Sequence, residues 1–92
     1  MTKAELVKNI TLETGVDGGA VLLVVDKLLE NIRTTVSGGE EVFLRGFGTF
    51  GTKHRAEKIG RNMSNNTAIT IPAHDIPSFK PSKEFRKQVL KQ

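Results

Sequence analysis

The stretch Arg45-Gly46-Phe47-Gly48-Thr49-Phe50-Gly51-Thr52-Lys53-His54-Arg55-Ala56-Glu57-Lys58-Ile59-Gly60-Arg61-Asn62 changes character part-way along. It follows Glu41-Val42-Phe43-Leu44, whose period-two pattern predicts a strand ending at Arg45. Gly46-Phe47-Gly48 predicts a tight turn, and Thr49-Phe50 predicts the start of a second strand. That strand runs on through Ile59, yet its apolar content falls sharply after Phe50. Residues 60–67, Gly-Arg-Asn-Met-Ser-Asn-Asn-Thr, are rich in turn formers. Ile69, Ile71 and Ala73 then alternate again, across Pro72. Between residues 51 and 73 two β-patterned stretches therefore flank a polar turn with almost no apolar face. An isolated two-stranded hairpin is marginal in water. The segment from approximately 52 to 74 is thus expected to project from the body as an arm, free to move until something holds it.

On the N-terminal side the period is helical. Thr2-Lys3-Ala4-Glu5 is a capping-box pattern, Leu6, Val7 and Ile10 share one face, and Gly15 ends the segment. Asp17 is placed to cap a longer helix with Val21, Val25, Leu28, Ile32 and Val36 at helical spacing, widened by Leu22 and Leu29. So wide a stripe needs two surfaces to bury against: its own sheet and a second subunit. Gly38-Gly39 stops it. On the C-terminal side Ile76-Pro77-Ser78-Phe79 returns to core-like sequence. Pro81-Ser82 sets up a last helix from Lys83 to about Leu90, with Phe85 and Val89 expected to face inward. The expected fold class is α+β, in a single domain over residues 1–92.

Size and charge agree with that division. A chain of 92 residues buries a modest core, and with no cysteine it has no disulfide to add, which favours oligomerisation. The net charge is +4. Residues 1–44 carry 4 Lys/Arg against 7 Asp/Glu, whereas residues 45–92 carry 10 against 3. Segregation of this kind points to an anionic partner. The absence of cysteine fits a reducing cytoplasm, and no apolar run is long enough for a signal peptide or a membrane span.

The arm presents Lys53, His54, Arg55 and Lys58 on its first strand, and Arg61 and Asn62 at its turn. Arg and Lys neutralise phosphates and displace counterions, and Arg suits a narrow minor groove. Asn62 can donate to and accept from base edges. Met63 is one apolar residue among polar neighbours, the kind of side chain that minor-groove proteins wedge between base pairs.

The run Arg45-Gly46-Phe47-Gly48-Thr49-Phe50, with Arg55-Ala56, Gly60-Arg61-Asn62, Ile71-Pro72-Ala73 and Pro77-Ser78-Phe79-Lys80, resembles the HU/IHF family of bacterial, histone-like nucleoid proteins over essentially the whole chain. The resemblance implies an intertwined dimer with two N-terminal helices, a three-stranded antiparallel sheet extended into a β-ribbon arm, and a short C-terminal helix. It implies dimerisation through the long helix and the sheet, with Phe47, Phe50 and Phe79 in the dimer core. It also implies architectural, nucleoid-associated binding that bends or compacts double-stranded DNA from the minor groove. Carried over by position, Lys53, Arg55, Lys58, Arg61 and Asn62 are arm contacts. Lys3, Lys80, Lys83 and Arg86 are flank contacts with phosphates. Arg45 and the stretch Phe79 to Arg86 lean toward the sequence-selective IHF branch. Two positions depart from the family pattern. Met63 stands where the wedge is usually proline, which implies a shallower or less sharply defined kink, and Gly18 stands where the residue is often basic.

Other classes find little support. His54 and His74 lack neighbouring cysteines or metal-type spacing and read as an arm surface residue and a loop residue. No nucleophile motif or phosphate-binding glycine loop is present, so neither enzyme chemistry, a metal nor a cofactor is expected. The partners expected are double-stranded DNA and a second chain, identical or a paralogue, and no membrane. The alternative is a basic module that binds RNA or an acidic partner.

Overall fold

Thr2 caps the first helix: its hydroxyl accepts a hydrogen bond from the Glu5 N–H at 3.2 Å. In the computed structural model, which describes residues 1–62, 64 and 67–90, helix α1 then spans Lys3–Thr14. Gly15 ends α1 in the left-handed region at φ 74°, with its N–H bonded to the Thr11 carbonyl, a conformation that glycine adopts without penalty. Asp17 caps helix α2, Gly18–Ser37, by accepting from the Ala20 N–H at 3.1 Å. Val36 and Gly39 close its far end through an N–H to carbonyl bond, with Gly39 at φ 91°.

The chain divides into two compact units, Met1–Thr35 and the residues from Val36 onward. In the first, Val21 is buried, and Val25 and Ile32 of the same stripe are half-buried. Leu28, which the helical spacing puts on that stripe, is half exposed, as are Leu22 and Leu29, while Leu23 and Val24 are more open still. Val21 is the one buried apolar side chain among the described residues.

The second unit is built on a three-stranded antiparallel sheet in the order β1-β2-β5, with β1 at Val42–Leu44, β2 at Gly48–Arg55 and β5 at His74–Pro81. Strands β3 at Lys58–Asn62 and β4 at Thr67–Ile71 form a separate two-stranded ribbon. Helix α3, Lys83–Leu90, follows β5. The expected strand from Thr49 to Ile59 is therefore two strands, interrupted at Ala56-Glu57. The return path is interrupted opposite, at Pro72-Ala73. Proline has no N–H to give a ladder, and Pro72 sits at the break. Pairing also reaches further toward the tip than the turn-forming composition suggests, to Asn62 opposite Thr67. Backbone bonding needs no apolar side chains.

The core of the second unit is aromatic. Phe50 and Phe79 are register partners with ring centroids 4.7 Å apart. Phe47 lies 5.3 Å from Phe79 and 5.2 Å from Phe85, which brings α3 into the cluster. The expectation for α3 holds for Phe85 but not for Val89, which is 67% exposed. Val89 lines an open groove of about 370 Å³ with Phe79, Pro81, Phe85, Arg86 and Leu90.

Candidate nucleic-acid interface

Side chains alternate across a strand, so register sorts the sheet into two faces. One face carries the partners Phe50–Phe79, Thr52–Pro77 and His54–Asp75, with Val42 and Leu44 of β1 alongside Phe50 and Gly48. The other carries Thr49–Lys80, Gly51–Ser78, Lys53–Ile76 and Arg55–His74, with Phe43 beside Thr49. Lys53, Arg55 and Lys80 thus share the face opposite the aromatic cluster. Hydroxyls of Thr49 and Ser78 lie among them, and Phe43 stands 73% exposed at the edge. Lys80 is four positions along the sheet from Lys53, so the cations form a row rather than a cluster.

The row leads toward the distal ribbon. There Lys58 pairs with Ile71, and Arg61 pairs with Ala68 on the alternate face. The side chains from Thr52 to Ile59 and from Thr67 to Thr70 are exposed, as the lack of an apolar face anticipates. Asn62 is the last residue of β3. Met63, the expected wedge, lies outside the described residues.

A second group forms where the Gly46 turn meets α3. The Ser82 hydroxyl donates to the Gly46 carbonyl at 2.8 Å and accepts from the Phe85 N–H at 3.1 Å. The Ser82 N–H donates to the Phe47 carbonyl at 2.9 Å. Arg45 and Lys83 are therefore each one residue from a bonded pair, and Arg86 lies one turn further along α3. Arg45 and Lys83, 38 positions apart in sequence, are brought to one corner by a serine that the sequence presents only as a helix start. The backbone beside Arg45 and beside Lys83 meets there through the Ser82 bonds, and Lys80 immediately precedes Pro81 and Ser82.

Lys3 belongs to the other unit. Its Nζ lies 2.7 Å from Asp26 Oδ1, with both side chains about half exposed, so its charge is shared with α2. His54 donates from Nδ1 to Asp75 Oδ1 at 2.9 Å, on the aromatic face of the sheet. His74 is not the loop residue its surroundings suggested. It begins β5 opposite Arg55, on the basic face. Its proximity to Pro72 and Ala73 hid the strand, and only the register reveals its neighbours.

The model for the family described as bacterial DNA-binding protein matches residues 1–90. The chain belongs to this family. Among members of the HU/IHF family, the integration host factor subunit beta of Marinobacter nauticus is 40% identical over 90 residues, covering 97% of this chain and 92% of the relative. The subunit of the same name from Shewanella loihica is 36% identical, covering 97% and 95%. An Anabaena HU–DNA cocrystal structure superposes with a TM-score of 0.95 at 36% identity, covering all of both chains. The HU of Thermotoga maritima, as its V42I mutant, superposes with a TM-score of 0.73 at 26% identity, covering 97% and 99%. The HU/IHF fold accounts for the observed α+β order of two helices, sheet, ribbon and closing helix.

Proposed function

We propose that this chain is an architectural DNA-binding protein that grips duplex DNA along the basic face of its sheet and bends it with the β-ribbon arm. One observation carries the reading: Lys53, Arg55 and Lys80 share a sheet face from which the aromatic core is excluded, and that face continues toward a ribbon bearing Lys58 and Arg61. Its membership in a DNA-binding family and its likeness to a structure solved with DNA support it. Lys/Arg–phosphate contacts fix position along the duplex and carry no sequence information of themselves. Lys3, Lys83 and Arg86 are assigned to the flanks, Asn62 to base edges, and Met63 to the wedge at the tip. Arg45, at the corner stitched by Ser82, is assigned to selective readout. Two chains are proposed to assemble through α2 and the sheet, with Phe47, Phe50 and Phe79 in the shared core. The setting is the bacterial nucleoid, in the cytoplasm.

Salt dependence tests the reading. Log affinity for duplex DNA should fall linearly with log salt, with a slope of about −0.9 for each phosphate neutralised. A slope near zero would exclude charge-driven binding. A competing RNA duplex, whose deep major groove and shallow minor groove offer a different shape, should bind more weakly if the arm reads B-form DNA.

A further inference from the structure

At the joint between the β2–β5 pair of the sheet and the β3–β4 ribbon, Arg55, Glu57, Lys58 and His74 line an open groove of about 720 Å³, with Ile71 and Ile76 as its apolar wall. His74 lies directly opposite Arg55 in the antiparallel register, on the face that carries Lys53 and Lys80. Its Nδ1 is 2.8 Å from the Pro72 carbonyl oxygen. A carbonyl only accepts, so Nδ1 carries a hydrogen and donates it. Nε2 is left as the ring's remaining nitrogen, a bare acceptor in the neutral ring and a donor once the ring is protonated.

We propose that His74 is a proton-dependent phosphate ligand, which joins Arg55 and Lys58 in holding a backbone phosphate of duplex DNA when its ring is charged and releases it when neutral. This rests on the DNA-binding reading above. A neutral ring with Nδ1 already committed turns only a lone pair toward an anion. The charged ring presents an Nε2–H and a full positive charge, the combination that makes a strong, charge-assisted bond. Histidine is the side chain that ordinarily changes charge between about pH 5 and 8. The charged groups bearing on His74 are Arg55 across the ladder, Lys58 of β3 and Glu57 in the joint. Asp75 is adjacent in sequence but alternates to the opposite face, where it holds His54. A phosphate that hydrogen-bonds only the charged ring favours that form on binding. Association with DNA is therefore coupled to proton uptake at this groove.

The sign follows directly. The charged form binds, so affinity is greatest at low pH and declines as pH rises. Binding of the full-length chain to one random-sequence duplex, followed by fluorescence anisotropy through a salt series, should be about tenfold tighter near pH 5.5 than near pH 8. The salt slope should also steepen by about 0.9 for each arm engaged. The duplex backbone does not titrate in that range. His74→Gln, which keeps a hydrogen-bonding side chain without a titratable charge, should abolish both changes, whereas His54→Gln should retain them. Equal pH dependence in wild type and His74→Gln would overturn the proposal, as would its loss in His54→Gln alone. Steep salt dependence without pH dependence in wild type would overturn it while leaving DNA binding intact. No binding at either pH in low salt would remove the DNA-binding reading itself.

Discussion

Gly48 occupies a position with no room for a side chain. A Cβ there would lie 2.6 Å from the Lys80 carbonyl oxygen and 2.6 Å from two atoms of the Phe79 ring. The carbonyl belongs to the β2–β5 ladder and the ring to the aromatic cluster, so neither can yield without loss. Gly48→Ala should destabilise the fold by about 1–3 kcal/mol, the usual range for forcing a methyl into a packed site. The midpoint of urea unfolding reads this. Gly51→Ala makes a contrast, because the atoms nearest its new methyl belong to the flexible Glu41 side chain, at 3.3 Å. Ser82 is the other decisive residue. Ser82→Ala removes the α3 cap and the bond to Gly46 together, for an expected loss of about 1–2 kcal/mol. Thr restores both bonds. Asp restores the cap but turns an acceptor toward the Gly46 carbonyl, so recovery should be complete with Thr and partial with Asp in the same unfolding assay.

At the scale of elements, the arm is two ribbons in series rather than one. Lys53 and Arg55 lie on the proximal ribbon, and Lys58 and Arg61 on the distal one. If all four meet phosphates, replacing any one by alanine should reduce the salt slope of DNA binding by about 1 per arm, uniformly across sequences. A proximal change that alters the slope beside a silent distal change would confine the grip to the sheet. Much of this arrangement is legible in the sequence. The Thr2, Gly15, Asp17 and Gly39 boundaries follow from cap and turn chemistry, and they match the observed ends of α1 and α2. The arm follows from the fall in apolar content after Phe50. The break at Ala56-Glu57 does not, because alternation continues through it and Pro72, which cannot donate to the ladder, lies across from it between β4 and β5. Which residues share a face is likewise a property of pairing. Lys80 joins Lys53 and Arg55 only through the β2–β5 register, and His74 is hidden for the same reason. Ser82 is readable as a cap, but its bond to Gly46, 36 residues away, is not.

For the molecule as a whole, the aromatic cluster and the α2 stripe are both incompletely covered. Phe47 is 45% exposed, and Leu28 is 50% exposed. Isolated large apolar groups at a surface are ordinary, but two such sets in a 92-residue chain are what a shared core requires. Purified chain should therefore sediment with twice its 10.1 kDa mass, and its thermal midpoint should rise with protein concentration, as it does when folding and association are one event. A monomeric mass with a concentration-independent midpoint would count against assembly. Dimerisation of the purified chain without a second gene product would establish the homodimer over the pairing with a paralogue.

The lone burial of Val21 also bears on abundance. Val21 is the one buried apolar side chain among the described residues, so a chain that has not paired leaves Leu23, Val24 and Leu28 open to the quality-control machinery. Surplus copies should then turn over faster than paired ones, which a pulse-chase at two expression levels would read. On that expectation, the level of the working protein follows how often two copies meet as well as how fast the chain is synthesised.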